Sequence, residues 1–515
     1  MLFFKVICIT ILSTLSVSQL WAGSYPDLAA QISEKAVKAG YKRLAVAGFT
    51  SVGVDKQTSE FATDDLIFYL VERAEIEVVE REQIDKLLKE KSLEQVGLVD
   101  EKQGAEVGKW LNTDAILIGK VSERKEGQLT LQLRLVDVKT ARISATFRDE
   151  INAIPVVITE PDDINEPPKI QVAILLDTSS SMDGLINQTR AYLWKMVNEL
   201  ADASKDDKTA KVEVALYEYG KSTLPEQENY LRMILPFTED LDKVSEQLFA
   251  LQTTGGEEYA GAVIEHATQN LIWSKRKDNY RTIFIAGNEG FGQGKIPWEN
   301  SIANARRKGV FVNTIFCGSR QEGEGTGWAA GARAGAGSFS NIEQNSVAKV
   351  IDTPFDAELR KAGQEINSTF IPYGKTAKKA AARQAEQDEK AATMADTGAD
   401  LERYSFKGKS QYSSQSWDLV TGVSKGELKL NELEKDELPP ELAKLSKKEL
   451  QSRVESEMKK RQALQKQIAE LTEKRQKYIA EESAKLSKED PKTLDKALVR
   501  TVLYQAKRQN FNFKP

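Results

Sequence analysis

One short run constrains the fold more than any other part of the chain. An apolar segment, Ile170–Leu176, ends abruptly at Asp177 and is followed by Thr-Ser-Ser-Ser-Met and then by an amphipathic pattern that runs to Leu200. A continuous apolar run of this length is typical of a strand buried on both faces of a parallel sheet. Strand, polar loop and helix in this order predict the first half of a doubly wound α/β unit, in which ligands bind at the carboxyl ends of the strands.

The residue types that end this strand suit a hard divalent cation. Asp177, Ser179 and Ser181 offer oxygen atoms, which are the ligands that Mg2+ and Ca2+ prefer. Two hydroxyls with few carboxylates leave such an ion under-neutralised, so that an acidic group of a partner can complete its coordination. The alternative interpretation is structural, because the same side chains could instead cap the following helix.

The order of patterns around Asp177 resembles the von Willebrand factor A (vWA) domain and its metal-ion-dependent adhesion site. The D-x-S-x-S motif of that family matches at Asp177, Ser179 and Ser181, and the resemblance covers roughly residues 169–372. The later patterns are strands at Val212–Tyr219, Thr282–Ala286 and Val310–Phe316, and helices at Glu258–Trp273 and Trp298–Lys308. The resemblance implies a doubly wound, Rossmann-like domain that binds a protein ligand through Mg2+ or Ca2+.

Two positions depart from the pattern of that family. Glu257 stands where the family usually has a metal-binding threonine, and Gly287 stands where it has an aspartate, with Asn288 beside it. Either Glu257 or Glu258 could replace the lost ligand with a carboxylate. Equally, the site could be partly degenerate and bind no metal.

The N-terminal third has its own α/β pattern over residues 25–150. Glu77-Val-Val-Glu-Arg81, Leu111–Gly119 and Leu133–Asp137 resemble the curli-assembly (CsgG-like) and FlgO-like periplasmic fold, and the alternating leucines from Leu129 onward predict a hairpin-like strand pair. The resemblance implies a mixed-sheet domain that works at the cell envelope, in secretion assemblies or surface-organelle biogenesis. No membrane-inserting hairpins are evident, so a pore role is not implied. An unrelated α/β sandwich remains the alternative.

The first residues are predicted to be a targeting signal rather than part of the folded protein. Met1–Ala22 has a lysine at position 5, the apolar run Val6–Leu15 and a small residue at its end, which together are typical of a secretory signal peptide. The apolar run is shorter than the ~20 residues of a spanning helix. We therefore expect an exported, periplasmic or envelope-associated bacterial protein with no membrane span after the signal is removed, and an uncleaved anchor is the alternative.

Scarce histidine and cysteine exclude several kinds of catalytic site. His266 is the single histidine, and the only cysteines are Cys8, inside the predicted signal, and Cys317. A zinc site of the H-E-x-x-H type and an intrachain disulfide are therefore excluded.

Two other features exclude further ligands. The net charge of −5 argues against nucleic acid as a partner. The loop Gly287–Lys295 lacks the spacing of a phosphate-binding loop. Its glycines, with those from Gly323 to Gly337, are predicted to let the loops at the rim of the metal site turn tightly.

Residues 151–168 carry four prolines among acidic residues and are predicted to be a linker. After the vWA-like region, residues 373–430 are predicted to form a polar helix followed by an irregular stretch at Ser405–Trp417. Residues 431–515 are predicted to form a charged helical region.

The long helix of that last region is predicted to begin at a capping box, Ser446 to Glu449, and to end near Lys485. Leucines at heptad spacing suggest a coiled coil, but Arg461 and Arg475 fall in the same seam and support it poorly. A helical hairpin, a helix lying on another domain and oligomerisation all stay open.

Together these patterns predict an exported interaction protein without enzymatic activity. The candidate ligands of Mg2+ or Ca2+ are Asp177, Ser179, Ser181, Glu257, Glu258 and Asn288. The expected partner is a protein that reaches the metal through an acidic residue. The alternative function is a structural envelope or secretion-assembly component whose vWA site is metal-free. An enzyme that uses metal-activated water at Asp177 is a more distant possibility.

Overall fold

The computed structural model describes residues 25–54, 56–73, 75–79, 101–125, 128–152, 167–276, 278–342, 350–412, 414, 416–485 and 494–513. The chain divides into two compact units, Met1–Pro155 and Val156–Pro515. The predicted signal peptide and most of the predicted linker lie outside the described residues. So does the segment Gln83–Lys91, for which the sequence predicts a helix. No helix within the described part is both long enough and apolar enough to cross a lipid bilayer.

The first unit is built on a mixed sheet. Its described elements are α1 (Tyr25–Lys38), β1 (Arg43–Val46), β2 (Thr50–Val52), α2 (Lys56–Arg73), β3 (Glu77–Val78), α3 (Glu101–Trp110), β4 (Ala115–Lys125), β5 (Gln128–Asp137) and β6 (Ile143–Asn152). The strand order is β3-β1-β4-β5-β6, with β2 also pairing with β4. β1 runs parallel to β3 and β4, whereas β4, β5 and β6 are antiparallel neighbours, which confirms the predicted hairpin-like pair.

The alternating leucines of β5 explain how one face of this sheet is buried. Leu131 and Leu133 lie on the same face of β5 and are buried in one cluster with Ile32 of α1 and Leu66 of α2. The opposite face, represented by Ile118, packs with residues of α3 in a second cluster. A period of two along β5 therefore places its leucines against α1 and α2, whereas Gln132, which points the other way, is exposed.

The second unit contains a six-stranded sheet in the order β11-β10-β7-β12-β13-β14. Its strands are β7 (Lys169–Asp177), β10 (Lys211–Tyr219), β11 (Leu231–Thr238), β12 (Tyr280–Gly287), β13 (Phe311–Cys317) and β14 (Phe339–Ile342), and a small hairpin of β8 (Ser204–Lys205) and β9 (Lys208–Thr209) lies apart from it. All neighbouring strands are parallel except β11, which runs antiparallel to β10. This is the doubly wound sheet that the sequence predicts.

Helices cover both faces of this sheet. They are α4 (Asp183–Ala201), α5 (Leu241–Ala250), α6 (Ala260–Asn270), α7 (Trp298–Arg307), α8 (Arg320–Gly325) and α9 (Trp328–Ala334). Residues of α6, α7 and α9 share a buried cluster with Ala173 and Leu175 of β7. Since β7 is buried along nearly its whole length, its apolar run has no exposed face. Gly323, Gly325 and Gly331 lie in α8 and α9, so the prediction that these glycines form rim turns is wrong for three of the six between positions 323 and 337.

The C-terminal region is a layer of helices that belongs to the same unit. They are α10 (Asp356–Glu365), α11 (Ala377–Ala392), α12 (Ala399–Lys407), α13 (Leu419–Ser424), α14 (Lys447–Lys485) and α15 (Leu494–Lys507). The predicted irregular stretch is wrong in its first part, because Ser405 to Lys407 complete α12. The capping box is confirmed, since the N–H of Glu449 donates to Ser446 Oγ at 3.3 Å and the N–H of Ser446 donates to Glu449 Oε2 at 2.8 Å.

The seam of α14 packs against other helices of the unit. Leu464 and Ile468 share a buried cluster with Leu359 of α10. Arg461 donates to Asp418 Oδ2 at 2.5 Å, and Arg475 pairs with acidic residues of α10 and α12. The arginines that argued against a coiled coil thus serve buried ion pairs, which corresponds to a helix lying on a domain. The coiled coil and oligomerisation stay untested predictions.

A buried network of charges joins α5 to α11 and α12. The guanidinium of Arg403, fully buried, donates to Asp242 at 2.6 Å and to Asp388 at 2.5 Å. The ammonium of Lys407 lies 2.7 Å from the same Asp388 carboxylate, and Tyr412 donates to Asp242. Each buried charge therefore has an opposite charge beside it, as burial requires.

Helix α15 covers the amino-terminal part of β12 and β13. The amide of Gln505 accepts a hydrogen bond from the hydroxyl of Tyr280 at 2.6 Å and donates one to Asn313 Oδ1 at 2.8 Å. A β-bridge between Ser204 and Asn512 fixes the chain just beyond the helix. The sheet therefore relies on residues far along the chain to satisfy its buried polar groups.

Candidate functional site

The candidate site lies where the parallel strands β7, β10 and β12 end. Asp177, the last residue of β7, pairs with Tyr219, the last residue of β10, and Leu176 pairs with Ala286 of β12. Because parallel strands end at the same edge of a sheet, the loops that follow them meet there. This is the edge at which doubly wound sheets bind ligands.

Asp177 is completely buried at this edge. Its Oδ1 accepts a hydrogen bond from the N–H of Ser179 at 2.7 Å, but its Oδ2 is buried and has no hydrogen-bond partner. Burial, together with the nearby charges of Glu258 and Glu289, raises the pKa of Asp177 to about 7 against the opposing effect of the hydrogen bonds from Ser179. An unpaired buried carboxylate oxygen is unfavourable, and a cation next to it would remove that penalty.

The structure brings three more of the predicted ligands together beside Asp177. Ser179 Oγ lies 3.2 Å from Ser181 Oγ, and the amide of Asn288 donates to Ser181 Oγ at 3.0 Å. The helix-capping interpretation is wrong. Neither Ser179, which precedes the short 3-10 turn, nor Met182, which precedes α4, makes a side-chain capping bond.

The two adjacent glutamates differ in their positions. Glu258 is half-buried and hydrogen-bonds Ser179, and its pKa is raised to about 7 by burial and then by the charge of Glu289. Glu257 is exposed on the rim, where its charge acts on Tyr230. The carboxylate at the site is therefore that of Glu258, while Glu257 belongs to its surroundings.

Gly220 is a site residue that the sequence analysis missed. It has a φ of +78°, and a Cβ there would lie 2.7 Å from Asp177 Oδ1 and 2.9 Å from Glu258 Cγ. Glycine thus satisfies a left-handed backbone and leaves room for both carboxylates. The available signal was its place directly after the last residue of a predicted strand.

Gly287 stands at the position of the family's aspartate for a steric reason. A Cβ there would lie 2.7 Å from the hydroxyl of Tyr219 and 3.0 Å from Cη2 of Trp328. Tyr219 is fully buried and donates a hydrogen bond to the carbonyl of Ala286 at 3.0 Å. These two aromatic side chains occupy the space that a side chain at position 287 would need.

The donor atoms at this edge fit a hard divalent cation. Asp177, Ser179, Ser181, Glu258 and Asn288 all offer oxygen, and Asp177 Oδ2 is available. No group of three or more His, Cys, Asp or Glu side chains in the described part of the chain is placed to hold a metal. A metal here would therefore depend on hydroxyl and amide oxygens as well as on carboxylates.

The other residues considered from the sequence lie in structural positions. His266 is half-buried with its Nδ1 3.3 Å from the hydroxyl of Tyr217, and burial lowers its pKa. Cys317 is a buried free thiol whose pKa burial raises well above its usual value. Neither contributes to the edge around Asp177 through a hydrogen bond in the residues described.

Known families match both units. The family described as von Willebrand factor type A domain matches residues 171–335, and the family described as curli production assembly/transport component CsgG matches residues 29–123. No curated protein matches the chain significantly.

Several solved structures are similar to parts of the chain. The LpoB C-terminal domain from Escherichia coli is 14% identical, with 25% of this chain and 99% of that chain covered and a TM-score of 0.22. An aerotolerance-related membrane protein from Bacteroides fragilis is 17% identical (34% and 93% covered, TM-score 0.24). The VWA domain of SpRpn10 is 16% identical (34% and 87% covered, TM-score 0.25). TM-scores of this size do not establish shared ligands or partners. The family matches confirm the two resemblances, so the chain contains a von Willebrand factor type A domain at residues 171–335 and a CsgG domain at residues 29–123.

Proposed function

We propose that this chain is an exported interaction protein of the bacterial cell envelope that binds a protein ligand through a divalent cation at Asp177 and catalyses no reaction. The observation that carries the proposal is the buried, unpaired Oδ2 of Asp177 next to the hydroxyls of Ser179 and Ser181. A buried carboxylate oxygen without a partner is unfavourable unless a cation or a donor completes it.

Each residue has a distinct part in holding such a cation. Asp177 supplies the central charge, Ser179 and Ser181 supply neutral oxygens, and Asn288 holds Ser181 in place through its amide. Glu258 replaces the family's threonine ligand with a carboxylate from the adjacent position. The bound ion would supply a positive centre to which an oxygen of the partner binds.

Two features support a place in the envelope. The first unit contains a CsgG domain, and the family of that description takes part in curli production, assembly and transport. The first 22 residues have the pattern of a secretory signal. Protein interaction at the envelope agrees with both features, and the partner would be a protein of that compartment.

The alternative is a structural envelope component in which the vWA fold works without metal. It is favoured by the bond between Asn288 and Ser181, because this bond satisfies Ser181 without an ion. It is also favoured by Gly287 in place of the family's aspartate. Under this interpretation Asp177 would be protonated in about half of the molecules at neutral pH, since its pKa is raised to about 7.

Metal titration of the full chain by calorimetry separates the two functions. We expect binding heat with Mg2+, Ca2+ or Mn2+, and its loss in Asp177→Ala but not in Glu473→Ala, a control on an exposed part of α14. A metal at 100 times its Kd would also stabilise the unit by about 2.7 kcal/mol, measurable as a higher Tm. Absence of heat with all three ions would favour the metal-free alternative.

A further inference from the structure

The loops around Asp177 carry an unusual share of the negative charge of the chain. Residues 177–183, 220–230, 252–259 and 287–297 together contain seven acidic and two basic side chains among 37 residues. Their formal net charge of −5, with every carboxyl group counted as ionised, equals that of the whole chain of 515 residues. The rest of the molecule is therefore balanced, and the excess lies at this one edge.

Backbone hydrogen bonds hold these loops together around a common centre. The N–H of Thr254 donates to the carbonyl of Thr178 at 3.0 Å, and the N–H of Ser222 donates to the carbonyl of Gly255 at 2.6 Å. The bond between Ser181 and Asn288 attaches the fourth loop to the first. These bonds hold the four loops next to one another, and the charges of Glu258 and Glu289 act on Asp177.

The nearby positive charges do not cancel this excess. The ammonium of Lys221 lies 3.7 Å from the buried carboxylate of Glu218, which also pairs with Arg232. Glu257 and Glu289 are exposed, and in the described part of the chain neither pairs with a cation. Their carboxylates therefore face solvent at the entrance to the site.

A divalent cation at Asp177 would reduce the net charge of the four loops only to −3. An acidic ligand alone would approach against this charge, although the metal would attract its carboxylate. We propose that the ligand is a basic segment of a protein, in which lysine or arginine residues flank the carboxylate that reaches the metal. The proposal rests on the proposed function, and the unpaired, fully buried Asp177 identifies the centre of the contact.

The size of the effect on ligand affinity follows from the exposure of Glu257 and Glu289. Exposed ion pairs contribute about 0.2–1 kcal/mol each, which corresponds to a change of about 1.4-fold to fivefold in affinity. Charges separated by more than the Debye length of ~8 Å at physiological salt are largely screened. The preference for basic ligands should therefore weaken as salt is added, and it should act strongly on the association rate.

Three fluorescent peptides test the proposal on the full chain in Mg2+. All have a central aspartate, flanked by lysine, serine or glutamate, and binding is measured by fluorescence anisotropy. We expect the lysine peptide to bind most tightly and the glutamate peptide least. The double variant Glu257→Gln, Glu289→Gln should weaken the binding of the lysine peptide by about 1.4-fold to fivefold per removed charge. The control variant Glu441→Gln, Glu473→Gln, whose changes are distant in sequence from these loops, should not weaken it.

The outcomes separate this proposal from the metal function. Equal binding of the three peptides, or no peptide binding although calorimetry detects Mg2+, would overturn the basic ligand and leave the metal site standing. If Mg2+ gives no heat but the lysine preference persists in chelator and still depends on Glu257 and Glu289, the metal function fails and the basic ligand is upheld.

Discussion

Gly287 offers the sharpest test of how the site departs from its family. An added Cβ would lie 2.7 Å from the hydroxyl of Tyr219, closer than real Cβ atoms come to other atoms, and 3.0 Å from Trp328, which is also a tight contact. Both aromatic side chains are buried and cannot move into solvent. Overpacking of this kind costs about 1–3 kcal/mol, so we expect Gly287→Ala to lower the free energy of unfolding by that amount.

The Tyr219 hydroxyl is the closest obstacle, so its removal should relieve part of the strain. Tyr219→Phe alone loses the hydrogen bond to Ala286, at a cost of about 1 kcal/mol. In the double variant we expect the two losses to be less than additive by at least ~0.5 kcal/mol, because the phenylalanine no longer contacts the new methyl group. Gly287→Asp should be at least as destabilising as Gly287→Ala and should not tighten Mg2+ binding.

Urea unfolding followed by tryptophan fluorescence measures all four proteins, and calorimetry measures their affinity for Mg2+. A loss below ~0.5 kcal/mol in Gly287→Ala, or strictly additive losses in the double variant, would refute the steric explanation. Tighter Mg2+ binding by Gly287→Asp would show that the aspartate is absent for another reason.

Three further expectations concern the helical layer. Asp388→Asn leaves the buried Arg403 and Lys407 without their shared carboxylate, and urea unfolding should detect a loss of about 3–5 kcal/mol, with less than ~1 kcal/mol contradicting it. Burial raises the pKa of Asp388, but Lys407 and Arg403 more than offset this and lower it below its usual value. Stability from a lowered carboxyl pKa is present above the unfolded pKa of about 3.9 and is lost as pH falls through the folded value. The difference between wild type and Asp388→Asn should therefore shrink below about pH 4, and a constant difference would contradict this. Ser446→Ala, which removes the cap of α14, should cost about 1 kcal/mol in the same assay, unlike Ser446→Asp, which retains a capping side chain.

The central strands could be predicted from sequence because burial on both faces leaves a plain apolar run. β11 was missed for a physical reason. It contains Pro236, which lacks an N–H, and edge strands tolerate proline where central strands do not. Its register with β10 is also irregular, shifting on either side of Leu216, so no clean alternation is visible in the sequence.

The site could be predicted only where its ligand side chains are close together in the sequence. Asp177, Ser179 and Ser181 follow one another in the chain, and hydroxyl and carboxylate side chains after a buried strand indicate their role. The contact of Gly220 with both carboxylates depends on three separate loops, and the exclusion of a side chain at Gly287 depends on Tyr219. Such long-range contacts leave no pattern in a single sequence.

The position of α15 has a consequence for the order in which the chain acquires its structure. The last strand of the sheet ends at Ile342, whereas the Gln505 amide that pairs with Tyr280 and Asn313 lies in a helix that begins at Leu494. At about 5–20 residues per second, a ribosome needs roughly 8–30 s to make the intervening residues. Throughout that interval Tyr280 and Asn313 lack their hydrogen bonds to Gln505, so the completed domain is a late product of synthesis.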